Sequence, residues 1–278
     1  MPSIFRLLLA GAGVLFATAG SAQRRIVMDP LLVPEAQAEV ALAGNDYLLA
    51  GVNFTFLTQS LGSTYIGGQL RLGYEHFWNE RWSGGATLRV LQGEDFAGYG
   101  DIIRLPGNVT PGLLLRHTGK IGSFTFGQRL GAEYAITFNN PVNGPDSPNR
   151  SRALARLRFD VERQFSLNEK VALRPRVAYE AVAFLRLQRP ENSLQERVVD
   201  FGSLRGELGL RLSPRFDLTP WVAYQTSYIN TLAQFDANGK QTGGGKLNLI
   251  APVIGLDVRF TFLRGGDSAE RKQLPTQH

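Results

Sequence analysis

The chain has 278 residues, no cysteine, a formal net charge of +6 and a mean hydropathy of −0.12. That hydropathy is too low for a bundle of membrane-spanning helices, and the absence of cysteine excludes disulfides and thiolate metal sites. The arginines are dispersed along the chain and form no basic run of the kind that binds nucleic acid.

The N-terminus carries the one long apolar run. Residues 4–19 are apolar apart from Arg6 and are followed by the small residues Gly20-Ser21-Ala22. This pattern predicts a secretory signal peptide, residues 1–22, with cleavage after Ala22. The alternative is an uncleaved N-terminal anchor, although the run is short for a spanning helix. An exported protein resides in the periplasm, in the medium or in the outer membrane, and in none of these locations is a nucleic-acid partner expected.

Residues 23–45 show little pattern. Pro30 and Pro34 interrupt this stretch, and residues 34–42 could form one short helix. We interpret it as a periplasmic lead-in, or as a small plug inserted into a lumen.

Ten segments that alternate between apolar and polar residues follow, and each predicts a β-strand. These strands are longer than the 5–6 residues usual in soluble proteins and suit a bilayer that is crossed at a tilt. The predicted strands are residues 46–57, 64–78, 81–92, 108–118, 121–138, 151–165, 171–187, 198–212, 216–230 and 246–262.

Short and long connections alternate between these strands. A two-residue turn is expected at Gly119-Lys120, and a five-residue turn at residues 166–170, whereas residues 93–107, 139–150, 188–197 and 231–245 read as long polar loops. An even number of strands with this alternation predicts a ten-stranded antiparallel transmembrane β-barrel over residues 46–262, with short periplasmic turns and longer extracellular loops. Both termini would then be periplasmic, and residues 263–278 would form a flexible periplasmic tail.

The last predicted strand contains Gly255-Leu256-Asp257-Val258-Arg259-Phe260-Thr261-Phe262. A glycine followed by alternating hydrophobic and aromatic residues that end in Phe resembles the terminal-strand assembly signal of bacterial outer-membrane barrels. Residues 46–262 resemble a family of small outer-membrane barrels of unknown function. The resemblance implies the fold and a contact with the outer-membrane assembly machinery during biogenesis. It implies no active-site residue.

Aromatic residues lie near the strand ends on the apolar face, which is typical of the two girdles at membrane interfaces. The predicted girdle residues are Trp78, Trp82, Phe124, Phe126, Tyr134, Phe138, Phe165, Phe216, Tyr228, Phe260 and Phe262. They imply that outer-membrane lipid surrounds the barrel.

The polar face of the strands would line the lumen, with thirteen arginines against eight carboxylates. Side chains already fill the interior of a barrel of about eight strands. The interior of a ten-stranded barrel that contains long arginines should therefore be largely plugged. We name the following residues the charge ladder: Arg129, Glu133, Arg152, Arg156, Arg158, Asp160, Glu162, Arg174, Arg176, Glu180, Arg205, Glu207, Arg211, Asp217, Asp257 and Arg259.

The hairpin of residues 151–187 allows a register to be predicted. Pairing Phe165 with Val171 places three pairs of opposite charges side by side, as cross-strand stabilisation requires. The predicted pairs are Glu162–Arg174, Asp160–Arg176 and Arg156–Glu180. The charges would then brace the barrel; a narrow anion-preferring path or a small anionic ligand site is the alternative.

No motif predicts an enzyme, a cofactor or a metal site. His76 and His117 each lie two residues from a short turn on the outward face, where interfacial anchoring is expected. The leading hypothesis is a structural or narrow-pore outer-membrane barrel, whose extracellular ligand the sequence leaves open. The alternatives are a surface lipid-modifying hydrolase and a soluble periplasmic lipid-binding barrel, which would turn Phe124, Phe126 and Leu130 inward.

Overall fold

The predicted all-β barrel is confirmed in a computed structural model, which describes residues 24–42, 45–59, 62–93, 107–137, 151–168, 171–185, 198–239 and 241–263. The strands are β1 Arg24–Val27, β2 Leu31–Ala41, β3 Asp46–Gln59, β4 Gly62–Phe77, β5 Trp82–Gly93, β6 Asn108–Ile121, β7 Phe124–Thr137, β8 Arg152–Arg163, β9 Phe165–Ser166, β10 Ala172–Leu185, β11 Phe201–Ser213, β12 Phe216–Phe235 and β13 Gln241–Leu263. The described part of the chain contains no apolar helix long enough to cross a membrane.

Eleven of the described strands form the barrel wall. From β2 onward each strand pairs antiparallel with the next, except that β9 pairs only with β10. The wall closes where β2 pairs with β13, from Leu31 beside Val253 to Ala41 beside Leu263, and these two strands are parallel. Closure leaves none of these eleven strands as a free edge, while the short β1 extends the parallel pairing along β13.

The strand count and the role of residues 23–45 differ from the prediction. Residues Leu31–Ala41 form neither a lead-in, a plug nor a helix, but the eleventh strand of the wall. Their alternation is real but inconspicuous, because the outward residues in the middle of the strand, Pro34, Ala36 and Ala38, are small, and both faces carry apolar residues at the strand ends. Pairing with β3 skips Val33 and Pro34, since proline has no N–H to donate.

The two ends of the described chain lie at opposite ends of the barrel. Arg24 pairs with Leu247 at the end that carries the long connections, and Leu263 lies beside Ala41 at the end with short turns. The ends of the described chain therefore lie on opposite sides, whereas the termini, which were expected on one side, lie outside the described residues. Each additional strand reverses the direction of the chain, so a wall of eleven strands begins and ends on opposite sides, whereas a wall of ten begins and ends on the same side. The predicted signal peptide, and the tail beyond Leu263, lie outside the described residues.

Two connections differ from the prediction: one turn is displaced along the chain, and one loop is shorter than predicted. The turn between β6 and β7 is Gly122-Ser123, not Gly119-Lys120, and Gly122 has a φ of 58°, which favours glycine. At the other end, the predicted loop 231–245 is mostly strand, because β12 and β13 extend to a turn in which the Gly239 N–H donates to the Asp236 carbonyl at 3.0 Å.

The hairpin of β8 and β10 is formed, but its register is offset by two residues from the prediction. Phe165 faces Leu173, rather than Val171, and Arg176 faces Glu162. The turn keeps its predicted length but moves by one residue along the chain. Arg176 therefore lies directly opposite Glu162, while Arg174 still reaches the same carboxylate diagonally.

The burial pattern is inverted relative to a soluble protein. Leu113 is 66% exposed and Tyr224 62% exposed, whereas Glu39 and Glu75 are fully buried. Phe124 and Leu130 lie on the exposed outer face, and Phe126 is half-buried there. The arrangement expected of a soluble lipid-binding barrel, with these residues inside, is therefore wrong.

Candidate functional site: the charged lumen

The charge ladder lies inside the barrel because its residues alternate with the outward apolar residues on each strand. Nine of its members are buried: Arg156, Arg158, Arg176, Glu180, Arg205, Glu207, Asp217, Asp257 and Arg259. The other seven are half-buried: Arg129, Glu133, Arg152, Asp160, Glu162, Arg174 and Arg211. The structure thus brings the whole set together in one lumen.

One group of the ladder spans β5 to β10. Glu133 on β7 pairs with Arg89 on β5 and lies 3.0 Å from Arg156 on β8. Arg156 also pairs with Glu180, which lies 2.9 Å from Arg129. Each carboxylate therefore joins guanidinium groups from two different strands, which fixes the strands against each other.

A second group centres on Glu207 of β11. Its carboxylate forms ion pairs with Arg205 at 2.8 Å, Arg158 at 3.2 Å and Arg176 at 3.4 Å. Glu162 extends this group, with Arg176 at 2.8 Å and Arg174 at 3.1 Å. Two of the three predicted pairs exist as contacts, Glu162 with Arg174 and Arg156 with Glu180. Arg176 takes Glu162 and Glu207 as its ion-pair partners, in place of the predicted Asp160.

Further pairs connect the closing strand β2 to the lumen. Glu39 lies 3.5 Å from Arg259, which in turn lies 3.3 Å from Asp217. Glu35 lies 3.5 Å from Arg71. Sequence reasoning missed both carboxylates because it did not assign β2 to the wall. The signal that could have found them is the spacing of Glu35, Gln37 and Glu39 at every second position, which is the period of a strand.

Trp221 forms an aromatic centre within this charged region. Its Nε1–H donates to Asp257 at 2.7 Å, and the guanidinium carbon of Arg205 lies 3.6 Å from its ring centroid. Asp257 also pairs with Arg205 at 2.8 Å. Gly255 makes room for the ring, since a Cβ there would lie 2.1 Å from Trp221 Cε2. Sequence reasoning did not single out Trp221, because a lone inward aromatic residue leaves no pattern.

Apolar side chains fill the lumen at the end of the long connections. One buried cluster there consists of Met28, Leu31, Leu57, Ile66, Trp221, Ala223, Ala251 and Val253. A second consists of Ala135, Leu154, Val182 and Phe201. A third, at the short-turn end, consists of Ala41, Tyr47, Leu49 and Phe77. The described lumen is thus occupied by ion pairs in its middle and by apolar contacts towards both ends.

A small cavity of about 40 Å³ remains in the first ion-pair group. It has room for about one or two water molecules. Its charged lining residues are Arg71, Arg89, Arg129, Arg156 and Glu133. The cavity is thus lined by four guanidinium groups and one carboxylate.

The predicted girdle residues lie on the outer face where the structure describes them. Trp78, Trp82, Phe124, Tyr134, Phe165, Phe260 and Phe262 are exposed, and Phe126, Phe216 and Tyr228 are half-buried. Phe138 lies outside the described residues. At the short-turn end Trp82 packs on His117, with ring centroids 4.6 Å apart, and Phe216 packs on Phe260 at 5.2 Å.

The histidines form no catalytic constellation in the described residues. His76 Nδ1 lies 2.7 Å from Asp46 Oδ1, which also accepts the Tyr74 hydroxyl at 2.7 Å. No serine is hydrogen-bonded to His76 or His117 within that part of the chain, and it holds no group of three His, Asp or Glu residues that could bind a metal ion.

Comparison with known proteins adds little. No family model and no curated protein matches this sequence. A solved structure of the NanC porin is similar, with 11% sequence identity, a TM-score of 0.41, and coverage of 82% of this chain and 98% of that one. A likeness at this level carries no argument about function.

Proposed function

We propose that this chain is an outer-membrane β-barrel whose lumen is held closed by its charge ladder, with a structural or surface-binding role. The observation that carries the proposal is the inverted burial: ionised side chains lie inside, and a continuous apolar face lies outside. So large an apolar surface is unfavourable in water and favourable in a bilayer. A closed wall also satisfies the backbone hydrogen bonds that lipid cannot.

The membrane orientation follows from the connections. Outer-membrane barrels place short turns in the periplasm and longer loops outside the cell. On this orientation Leu263 lies on the periplasmic side and Arg24 on the extracellular side. Outer-membrane lipid would contact the apolar face, and the assembly machinery would engage β13 during insertion, as the pattern of residues 255–262 suggests.

The ladder supports a closed resting state. Each buried guanidinium that pairs with a carboxylate would leave an uncompensated charge if its partner moved away, which is strongly unfavourable. The apolar clusters at the two ends exclude water from the same path. The lumen therefore opens only if several ion pairs rearrange together.

Planar-bilayer recording tests the closed state. We expect the wild-type barrel to give no steady current, and Arg156→Ala combined with Glu180→Ala to give a small one, because these residues pair with each other in the middle of the lumen. Arg215→Ala, in the exposed turn between β11 and β12, is the matched control and should stay silent. A sustained current through the wild-type protein would contradict the proposal.

The second candidate is a narrow anion-preferring path, favoured by the four arginines around the small cavity. In a salt gradient, its reversal potential should indicate anion current in whichever variant conducts. Cation-selective current in that variant would eliminate this candidate and leave the closed barrel standing.

A further inference from the structure

Arg163 is a charged residue on the apolar outer face. It ends β8 at the short-turn side, where the alternation of that strand calls for an apolar residue. Its guanidinium carbon lies 4.6 Å from the Phe165 ring centroid and 5.4 Å from that of Phe124. Within the described residues Arg163 forms no ion pair, whereas the lumen arginines pair extensively. The two rings hold the cation at the level of the aromatic girdle.

A groove on the outer face begins beside this guanidinium. It encloses about 810 Å³ and crosses from β8 to β13, with outward lining residues that include Val161, Pro175, Gly206, Pro220 and Ile254. The four steps between these neighbouring strands span roughly 19 Å at about 4.8 Å per step. The groove is therefore long, its outward lining is mostly apolar, and Arg163 is the outward charged residue of that lining, at one end.

Gly206 forms a notch in the wall of the groove. Its neighbours across the sheet, Val177 and Val222, are 59% and 58% exposed, so they stand as walls on either side. A Cβ at Gly206 would meet no atom within 4 Å, which shows that the notch is open space. A flexible hydrocarbon chain could occupy this space without displacing a side chain.

We propose that this surface is a specific binding site for a glycerophospholipid with an anionic phosphate. The phosphate binds the Arg163 guanidinium, whose planar fork matches two phosphate oxygens. One acyl chain lies in the groove over Gly206. A cation at an apolar face is stabilised most by pairing with an anion. The phosphate of a bilayer lipid lies at the level of the aromatic girdle and can supply that anion.

This site is distinct from general attraction to the membrane. Arg81 is another exposed cation in a short connection, between β4 and β5, but those strands do not contribute to the groove. The proposal therefore predicts that Arg163 retains lipid and that Arg81 does not. It rests on the proposed membrane location of the barrel.

Native mass spectrometry in a non-ionic detergent, titrated with dioleoyl phosphatidylglycerol, tests the site. We expect one retained lipid on the wild type, about tenfold weaker retention by Arg163→Gln, and unchanged retention by Arg81→Gln. Gly206→Leu should weaken retention several-fold while preserving the fold, since the added side chain enters open space. Equal retention by wild type and Arg163→Gln, or an equal loss in Arg81→Gln, would overturn the proposal.

Two controls separate this inference from the proposed function. Heat-modifiable gel migration reports whether each variant is folded, and Gly206→Leu tests the site if Arg163→Gln does not fold. Flotation with vesicles reports whether the barrel associates with lipid at all. A wild type that floats while Arg163→Gln and Gly206→Leu retain lipid fully would refute the lipid site alone. A folded wild type that stays soluble without detergent and does not float would refute both.

Discussion

The hairpin of β8 and β10 and the seam between β2 and β13 both line the lumen with charge, but they are stabilised differently. In the hairpin, the strands are antiparallel and close in sequence, and Glu180 of β10 meets guanidinium groups from both β7 and β8. In the seam, the strands are parallel and come from the two ends of the described chain, and Glu39 meets Arg259 at 3.5 Å.

The outward faces of the two regions differ as well. The hairpin exposes large residues such as Phe159 and Tyr179, whereas β2 exposes the small residues Pro34 and Ala36. Large outward side chains contribute more to burial in a bilayer than small ones do. On its β2 side the seam therefore depends more on backbone pairing and on its inward carboxylates, and it should be the weaker part of the wall.

The largest effect should come from the hairpin. Glu180→Ala would leave Arg129 and Arg156 without this carboxylate in a buried position, and removing one partner of a buried ion pair costs about 3–5 kcal/mol. The free energy of unfolding, measured by urea titration in micelles, should fall by that amount. Arg81→Gln, in an exposed turn, is the control. A loss no larger than that of the control would show that the ion pairs do not brace the barrel.

A smaller effect is expected at the seam. Glu39→Ala removes a carboxylate that lies 3.5 Å from Arg259, and we expect a loss of about 1–3 kcal/mol in the same titration. Glu39→Gln keeps the shape of the side chain and reports the charge alone. If Glu39→Ala destabilised the barrel more than Glu180→Ala, the seam would be the principal brace and the comparison would be reversed.

The same comparison explains how far the sequence could predict the structure. The hairpin is readable because Leu157, Phe159 and Val161 alternate with charged residues, and the period of two identifies a strand directly. It was therefore predictable which residues share a face of the hairpin, and that the ladder residues point inward. The two-residue offset in register was not predictable, because Glu162 can reach either Arg174 or Arg176 and the position of the turn decides which of them lies opposite.

The seam could not be predicted in the same way. Pro34 argues against a central strand, and Ala36 and Ala38 give little hydrophobic contrast with Gln37. Its partner β13 lies more than 200 residues away in the sequence, and parallel pairing has no turn that would fix a register. The groove beside Arg163 could not be predicted either, because its lining residues come from seven strands, β7 to β13, that are distant in the sequence.

Tryptophan fluorescence tests most directly which face of the wall meets lipid. Trp82 lies on the outer face and is 41% exposed, while Trp221 lies in the lumen and is 6% exposed. Single-tryptophan variants, made by replacing the other two with Phe, would be reconstituted with phospholipid brominated near the glycerol end of its acyl chains. We predict strong quenching of Trp82 and several-fold weaker quenching of Trp221. Equal quenching of the two, or stronger quenching of Trp221, would contradict a barrel with lipid outside and a closed, charged lumen.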